Sequence, residues 1–200
     1  RHAGTLVGNL ANGSPIGDSA PVLIALDAVL LLRRGDVQRR MPLGEFYTGY
    51  MTNQLAAGEF IQAIEVPLTA TGDAFRTYKI TKRHDSDISA VLGAFRITRN
   101  GNNVSDVRLV FGGMAAVIKR AANAEVALRG QVWSEASVEA AAEALTKDFE
   151  PISDMRASAA YRLEVSRNLL RRFWLETRPD NPLPTHEVSV WACGNEGGAK

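Results

Sequence analysis

The hydrophobic pattern changes near residue 70, and it predicts two regions of different character. Residues 1–20 are rich in Gly, Asn, Ser and Pro, which predicts either a long ordered loop or a disordered end. The apolar run that starts at Pro21 predicts a short buried helix followed by a strand. The other elements predicted for the first region are strands over 29–32 and 37–41, a turn and short helical piece over 42–47, and a strand over 60–67.

Small polar residues at 69–73 predict a boundary, and longer strands follow it. Strands are predicted around Tyr78 and Ile80 and over 88–98 and 104–111, with a hairpin turn at Asn100-Gly-Asn-Asn. Three helices are predicted next, over 119–128, from an N-cap at Ser134 to about 149, and over about 158–177. In the third helix, a stripe of Tyr161, Val165, Leu169 and Phe173 predicts the buried face. Prolines end this helix, residues 188–191 predict a short strand, and a mobile tail is expected from Gly194.

Composition says little about function but excludes several kinds of site. The apolar fraction is 46%, and 23 basic residues nearly balance 22 acidic ones, so charge favours neither a nucleic acid nor a membrane as partner. No apolar run approaches the roughly 18 residues of a membrane span. The single cysteine, Cys193, excludes an internal disulfide framework and cannot form a metal site alone. Without a segment that resembles a signal peptide, a cytoplasmic protein is expected.

The common catalytic constellations are absent from the sequence. His2, His84 and His186 lack metal-ligand spacing, and there is no Gly-x-Ser-x-Gly elbow or Walker loop. The opening stretch is the exception, because its glycines let backbone N–H groups approach a phosphate or ring, and its short polar side chains suit sugar hydroxyls. Spacing alone leaves ordinary turn chemistry as an alternative. The residues concerned are Gly4, Thr5, Gly8, Asn9, Asn12, Gly13, Ser14 and Asp18.

Four blocks, in order, resemble the flavoprotein family of the xanthine dehydrogenases and other molybdenum hydroxylases. The stretch GTLVGNLANGSPIGD (4–18) resembles the FAD-binding loop of that family. The second block, GEFIQAIEVP (58–67), is similar to a strand of the family that ends in Ile/Val-Pro. The third, YKITKRHDSDIS (78–89), is similar to a Lys-containing strand and loop beside the flavin. The fourth, SDMRASAAYR (153–162), is similar to part of the C-terminal domain. The resemblance covers roughly residues 3–178 and is strongest to the small, FAD-carrying subunit of bacterial xanthine dehydrogenases.

The resemblance implies an α+β fold. Residues 1–68 would form the second lobe of a PCMH/VAO-type FAD-binding domain. Residues 73–178 would form a CO dehydrogenase flavoprotein C-terminal-like domain, with a three-stranded antiparallel sheet plus helices, and 179–200 would be a tail. The positions implied to contact FAD are Thr5, Gly8, Asn9, Asn12 and Asp18 along its pyrophosphate, ribose and ribitol, Phe60 and Ile61 as apolar cover, and Lys79 at the polar edge of the flavin ring.

The implied function is electron transfer without a catalytic base in this chain. Electrons from purine oxidation at a molybdopterin centre would pass through [2Fe–2S] clusters to FAD, and a hydride would then reduce NAD. The implied partners are the molybdenum-binding large subunit, a first FAD lobe and an iron–sulfur domain, all outside residues 1–200. Because that lobe would carry its own pyrophosphate loop, we expect these residues alone to bind FAD weakly or not at all.

Two alternatives remain at this point. The chain could serve another molybdenum hydroxylase, such as a CO, nicotinate or aldehyde dehydrogenase, although the likeness over 120–178 favours xanthine dehydrogenase. It could also be a non-catalytic assembly module that has lost FAD, and Val7, at a position where the family usually has Gly, favours this alternative. For Arg156, Ser158, Tyr161 and Arg162 we expect a packing role, with Tyr161 on the buried face, rather than an interface with the large subunit.

Overall fold

The fold consists of short strands and two helices, followed by a larger antiparallel sheet and further helices. The computed structural model describes residues 4–68, 72–83, 85 and 87–188. Within these residues the helices are α1 (Leu6–Ala11), α2 (Ser19–Ala25), α3 (Ala122–Leu128), α4 (Glu135–Asp148), α5 (Ala159–Thr177) and α6 (Thr185–Val188). The strands are β1 (Val29–Arg34), β2 (Val37–Pro42), β3 (Tyr47–Gly49), β4 (Thr52–Asn53), β5 (Phe60–Glu65), β6 (Ala74–Thr81), β7 (Ser89–Asn100), β8 (Asn103–Gly112) and β9 (Lys119–Arg120), and a 3-10 turn spans Leu43–Glu45.

The first region is a small antiparallel sheet with α1 and α2 packed beside it. Its strand order is β2-β1-β5, and β3 pairs with β4 in a separate ribbon. Leu30 and Leu32 alternate with half-buried neighbours on β1, so they face the core with Ile61 of β5. Gly35 adopts a φ of 58° at the turn between β1 and β2, as the predicted hairpin requires.

The larger sheet, ordered β6-β7-β8-β9, is covered on both faces. Val91 and Phe95 of β7 belong to the core that includes α3, α4 and α5. Leu92 and Ala94, which point the other way, belong to the core that includes α2. Because both faces are covered, β7 is buried continuously from Ser89 to Phe95 and has no polar side chain from Ala90 to Phe95. The two regions therefore share this sheet.

Capping and aromatic packing fix the helices of the second region. Ser134 caps α4 in a capping box with Ser137, as the sequence predicts, and Ser158 caps α5. Rings from the sheet and helices meet in the core, with centroid distances of 5.1 Å for Phe95–Phe111 and 5.7 Å for Trp133–Phe173. Within the described residues, no helix is both long and apolar enough to cross a membrane.

The opening stretch is not simply a loop, since residues 6–11 are helical. Thr5 Oγ1 accepts a hydrogen bond from the Gly8 N–H, which caps α1, and Leu10 is fully buried. Val7 lies inside this helix, so its backbone is right-handed and the strain considered above does not arise. Val7 instead packs, half-buried, against the core of the first region.

The second region differs from the sequence-based expectation in three places. The sheet has four strands among the described residues, because Lys119 and Arg120 pair with Phe111 and Val110 before α3 begins. Residues 185–188 form α6, whereas a strand was predicted from 188, and residues 189–200 lie outside the described part.

The buried face of α5 is also displaced from the predicted stripe. Tyr161 is 49% exposed, whereas Arg162 is 2% exposed. The predicted face was wrong at this end because the helix accommodates a buried guanidinium, which no apolar periodicity reveals.

Candidate functional site

A polar cleft of about 450 Å³ lies where the α1–α2 segment meets the ends of β6 and β7. Both regions of the chain contribute to its walls. Most of the lining side chains form hydrogen bonds, and the apolar ones are isoleucines. The lining residues are Asn9, Asn12, Ser14, Ile16, Gly17, Asp18, Lys79, Asp87, Ile88 and Ser89.

The Lys79 ammonium is held between two carboxylates across this cleft. Lys79 Nζ lies 2.7 Å from Asp18 Oδ2 and 2.8 Å from Asp87 Oδ2, and Ser89 Oγ donates to Asp18 Oδ1 at 2.5 Å. Burial opposes the charge on Lys79, but hydrogen bonds from its ammonium to Asp18 and Asp87 outweigh that effect and raise the pKa of Lys79. The hydrogen bond from Lys79 in turn lowers the pKa of Asp87. Lys79 and Asp87 are therefore both charged at neutral pH.

The hairpin β3–β4 holds the C-terminal end of α1 against the cleft. Tyr47 Oη donates to the Leu10 carbonyl at 3.1 Å, and Asn53 Nδ2 donates to the Ala11 carbonyl at 2.8 Å. The Asn53 bond satisfies a carbonyl that the helix end leaves without a helical partner, and the Tyr47 bond adds to the one that the Leu10 carbonyl accepts from the Gly13 N–H. Burial raises the pKa of the Tyr47 hydroxyl to about 12, so this anchor keeps its proton at physiological pH. The anchored end presents Asn12, the C-cap of α1, to the cleft.

A tight turn then brings the chain to α2. Gly13 has a φ of 65°, and the Gly17 N–H donates to the Ser14 carbonyl at 3.0 Å. A Cβ on Gly17 would lie 3.3 Å from that carbonyl oxygen and 3.5 Å from Asn9 Oδ1, so Gly17 allows Asn9 to approach the turn closely. Ser19 Oγ also donates to Asn9 Oδ1. These contacts fix the amide of Asn9 at the wall of the cleft.

The predicted site residues divide into three groups. Asn9, Asn12, Asp18 and Lys79 come together in the cleft. Thr5 and Gly8 do not line the cleft: Thr5 is the N-cap of α1, Gly8 lies in its first turn, and their contact caps the helix. Phe60 and Ile61 lie on β5, outside the lining: Phe60 is 53% exposed, and Ile61 is buried in the core of the first region.

The sequence did not single out Asp87 and Ser89, although both contact the charged centre of the cleft. Both follow Lys79 within the quoted block 78–89, on the far side of the connection between β6 and β7. The antiparallel register sets Ser89 opposite Thr81 and so returns the chain to the Lys79 end of β6. The signal in the sequence was a pair of polar residues, Asp87 and Ser89, at the start of the strand that was predicted to follow the Lys79 strand.

The cleft offers groups suited to a neutral, hydroxyl-rich ligand. Its amides and hydroxyls can donate or accept, and its carboxylates accept. In the part of the chain that the structure describes, no group of three or more His, Cys, Asp or Glu side chains is arranged to hold a metal ion.

Two family models match the chain and together span the cleft. The model described as the FAD binding domain in molybdopterin dehydrogenase matches residues 1–69. The model of the CO dehydrogenase flavoprotein C-terminal domain matches residues 76–177, about half of the chain. The chain belongs to the flavoprotein family of the molybdenum hydroxylases. Its similarity to oxidoreductases of this family extends through both regions.

Individual relatives agree with this assignment. The chain is 34% identical over 178 residues to a xanthine dehydrogenase of Emericella nidulans, covering 87% of this chain and 13% of that protein. It is 30% identical to the glyceraldehyde dehydrogenase medium chain of Sulfolobus acidocaldarius, covering 88% of this chain and 62% of that one. A solved carbon monoxide dehydrogenase of Hydrogenophaga pseudoflava superposes with a TM-score of 0.80 at 30% identity, covering 86% of this chain and 60% of that one. The chain thus spans less than two thirds of each of these relatives.

The cleft of this flavoprotein fits the hydroxyl-bearing part of FAD. The ribityl chain and ribose of FAD carry hydroxyls, which Asn9, Asn12 and Asp18 are able to bind. The charge on Lys79 is already offset by two carboxylates, so these described lining residues suit hydroxyls better than a pyrophosphate.

Proposed function

We propose that this chain holds the FAD of a xanthine dehydrogenase, and that FAD binds in the cleft between α1–α2 and the β6–β7 end of the sheet. The observation that carries the proposal is the convergence of Asn9, Asn12, Asp18 and Lys79 from separate sequence blocks on one polar cleft. The match of residues 1–69 to an FAD-binding family supports the choice of ligand. The identity to xanthine dehydrogenases over most of this chain supports the choice of enzyme.

Each predicted site residue has a definite task in this proposal. Asp18 accepts hydrogen bonds from ligand hydroxyls, and the amides of Asn9 and Asn12 donate and accept beside it. Thr5 and Gly8 shape the first turn of α1, which sets the direction of Asn9 and Asn12. Of the pair on β5, Phe60 is accessible to an aromatic ring, while Ile61 supports the strand from the core.

Lys79 acts as a hydrogen-bond donor in this proposal. Its raised pKa keeps the ammonium protonated at physiological pH. Asp18 and Asp87 offset this charge, so Lys79 donates to the polar edge of the flavin ring rather than serving as an uncompensated cation.

The enzyme in this proposal oxidises purines and is cytoplasmic. FAD, when bound, would accept electrons from iron–sulfur centres and pass them to NAD as a hydride. The purine would bind to a molybdenum-containing large subunit, and the iron–sulfur domain would be a further partner. The chain's own task in this proposal is to bind and orient the cofactor.

Flavin binding can be tested by titrating FAD into the 200-residue chain and by measuring flavin content in the purified enzyme that contains it. We expect stoichiometric FAD in the enzyme and much weaker binding by the chain alone. Substitution Asp18→Asn should reduce the flavin content of the enzyme, and Asp36→Asn, on the exposed turn after β1, is the matched control. An enzyme that lacks flavin would refute the proposal and favour an assembly role.

The substrate is tested with the same purified enzyme. Hypoxanthine with NAD should give reduction of NAD, followed by the absorbance of the reduced nicotinamide. The chain also resembles a nicotinate hydroxylase and a carbon monoxide dehydrogenase medium chain, so nicotinate, carbon monoxide and an aldehyde are assayed in parallel. Turnover of one of these substrates, and not of hypoxanthine, would be compatible with the proposed FAD binding but would contradict purine oxidation as the reaction.

A further inference from the structure

A buried arginine lies behind the cleft without lining it. Arg162 is on α5 and is 2% exposed, although arginine is among the residues least often buried. Its Nη1 donates to the carbonyls of Ala90 and Gly113, the latter at 2.8 Å, and its Nη2 donates to Asp154 Oδ1 at 2.7 Å. One guanidinium thus ties the beginning of β7 to the residue that follows β8.

Both carbonyls belong to residues next to the wall of the cleft. Ala90 follows Ser89, whose hydroxyl donates to Asp18. The Gly113 N–H donates to the carbonyl of Pro15 at 2.8 Å, in the turn that leads to Asp18. Arg162 is therefore connected to two sides of the cleft through backbone groups that it holds directly.

The close approach at this point depends on glycine. Gly113 has a φ of 79°, and a Cβ there would lie 2.3 Å from the Ala90 carbonyl oxygen. The same Cβ would lie 3.1 Å from Arg162 Nη1. A glycine at 113 therefore lets one guanidinium nitrogen reach both carbonyls.

Asp154 supplies the matching charge. It accepts hydrogen bonds from the N–H groups of Arg156 and Ala157 as well as from the side chains of Arg156 and Arg162. Such a buried ion pair costs desolvation, and a well-packed apolar side chain often serves stability as well or better. A guanidinium differs from an apolar side chain in that it fixes several acceptors in one plane.

We propose that Arg162 is a positioning residue for the flavin cleft, which it orients by holding Ala90 and Gly113. Through these residues it sets Ser89 against Asp18 and sets the Pro15 turn beside them. This inference rests on the proposed FAD-binding function.

The test compares Arg162→Lys with Arg171→Lys in the purified enzyme. Arg171 is on the same helix and pairs with Glu139 of α4, away from the cleft, so it controls for the loss of a guanidinium on α5. An ammonium cannot hold the three acceptors in one plane, so we expect Arg162→Lys to weaken FAD binding about tenfold. Arg171→Lys should lower the melting temperature without changing FAD affinity. Equal FAD affinity in the two variants and the wild type would overturn the proposal.

A double-mutant cycle distinguishes positioning from general packing. If Arg162 acts through Ser89, the loss of FAD affinity in Arg162→Lys/Ser89→Ala should be clearly smaller than the sum of the single losses. Additive losses would contradict action through Ser89. If Arg162→Lys does not fold, Asp154→Asn keeps the arginine but removes its charged partner, and an unchanged FAD affinity in that variant would overturn the proposal.

Amide exchange provides a measurement that needs no bound flavin. The Gly113 N–H, which donates to Pro15, should exchange faster in Arg162→Lys than in Arg171→Lys. Equal exchange rates would contradict the proposed link between Arg162 and the Pro15 turn. If the enzyme contains no flavin but its Gly113 amide still exchanges faster in Arg162→Lys, the proposed FAD-binding function is refuted, while the link between Arg162 and the Pro15 turn stands.

Discussion

The two ends of α2 each place an aspartate against basic side chains of the larger sheet, but the two sites differ in kind. Asp18, at the start of the helix, pairs with Lys79, and Asp27, just after its end, pairs with Arg96 and Arg108. The side chains of Asp18 and Asp27 are similarly exposed, at 44% and 39%. Exposure of the carboxylate therefore does not distinguish the two sites.

The partners do distinguish them. Arg108 Nε and Arg96 Nη2 lie 3.0 and 2.5 Å from the carboxylate of Asp27, and both arginine side chains are more deeply buried than that of Lys79. Burial opposes the charge on Asp27, but the hydrogen bonds from Arg108 and Arg96 outweigh it and lower the pKa of Asp27. Planar guanidinium groups hold a carboxylate in one geometry, whereas an ammonium and a hydroxyl rearrange easily. The fixed pair suits a structural joint, and the adaptable one suits a ligand site.

The capping geometry agrees with this contrast. Asp18 is the N-cap of α2, yet its side chain makes no capping hydrogen bond and instead reaches Lys79 and Ser89. Asp27 has a φ of 54°, a left-handed conformation that Asp and Asn tolerate better than most residues. The side chain of Asp18 contacts the cleft instead of capping α2, whereas Asp27 forms a turn and joins α2 to the larger sheet.

The largest effect is expected from Asp27→Asn. Asparagine keeps the left-handed preference but removes the charge that faces two arginines, so we expect a loss of about 2 kcal/mol in the free energy of unfolding. Urea denaturation measures this loss, with Asp36→Asn, on an exposed turn, as a control that should cost less than about 0.5 kcal/mol. FAD affinity should not change. A large loss of FAD affinity would contradict the assignment of Asp27 to a structural role and of Asp18 to the ligand site.

Asp18→Asn should show the reverse pattern. Loss of an acceptor for ligand hydroxyls, together with a less firmly held Lys79, should weaken FAD binding about tenfold. Stability should fall by less than about 1 kcal/mol, because its partner Lys79 is less buried than the arginines that hold Asp27 and the carboxylate makes no cap. Flavin titration and urea denaturation of the same preparation measure both quantities. A stability loss as large as that of Asp27→Asn would assign Asp18 to the structure rather than to the site.

Acid titration extends the comparison to a third carboxylate, Asp154. Burial opposes its charge, but hydrogen bonds from the Arg156 and Ala157 N–H groups and from Arg156 and Arg162 lower its pKa to about 2. Because the pKa is lower in the folded chain, Asp154 stabilises the fold above about pH 4, and the contribution is lost as pH falls towards 2. We expect this contribution to be roughly 1 kcal/mol after solvent screening. Unfolding curves between pH 5 and 2 should be less pH-dependent in Asp154→Asn, and an unchanged slope would contradict this assignment.

Val7→Gly should have little effect on the cleft. Relative to valine, glycine inside α1 costs roughly 0.5 kcal/mol in helix propensity, and removal of the half-buried side chain adds to the loss of stability. Leu6→Gly in the same helix is the matched control, since Leu6 is 54% exposed and reports mainly the propensity cost. FAD affinity should stay within about twofold of the wild type, because the Val7 backbone is already helical. A clear gain in FAD affinity would indicate that valine distorts the loop.

The sequence predicted much of the element order because its signals were local. Ser134 and Ser158 are helix caps that act within one turn, and the prolines after Thr177 end α5 where expected. The hairpin at Asn100-Gly-Asn-Asn has Gly101 at a φ of 60°. The short helix α1 was missed because its stability comes from Leu10 in the core and from Tyr47 and Asn53 at its end, which are distant in sequence.

The site was predictable in part for the same reason. Asn9, Asn12, Asp18 and Lys79 stand in sequence blocks that resemble one family, so their residue types were enough to nominate them. Their arrangement was not predictable, because the pairing of Asp18 with Lys79 joins residues 61 positions apart. Asp87 and Ser89 enter the cleft only because β7 pairs antiparallel with β6 and returns to its end.

The sequence by itself determined the helix caps, the turns, the order of the main strands and the family to which the chain belongs, all of which depend on residue type and short-range spacing. The tertiary structure alone decided that one face of the larger sheet completes the core of the first region, and that Arg162 is buried behind the cleft. The reason is physical: local backbone preferences act over a few residues, whereas the burial of a charge depends on partners supplied by distant segments. Local periodicity therefore predicted that Tyr161 is buried, whereas partners from distant segments allow Arg162 to be buried instead.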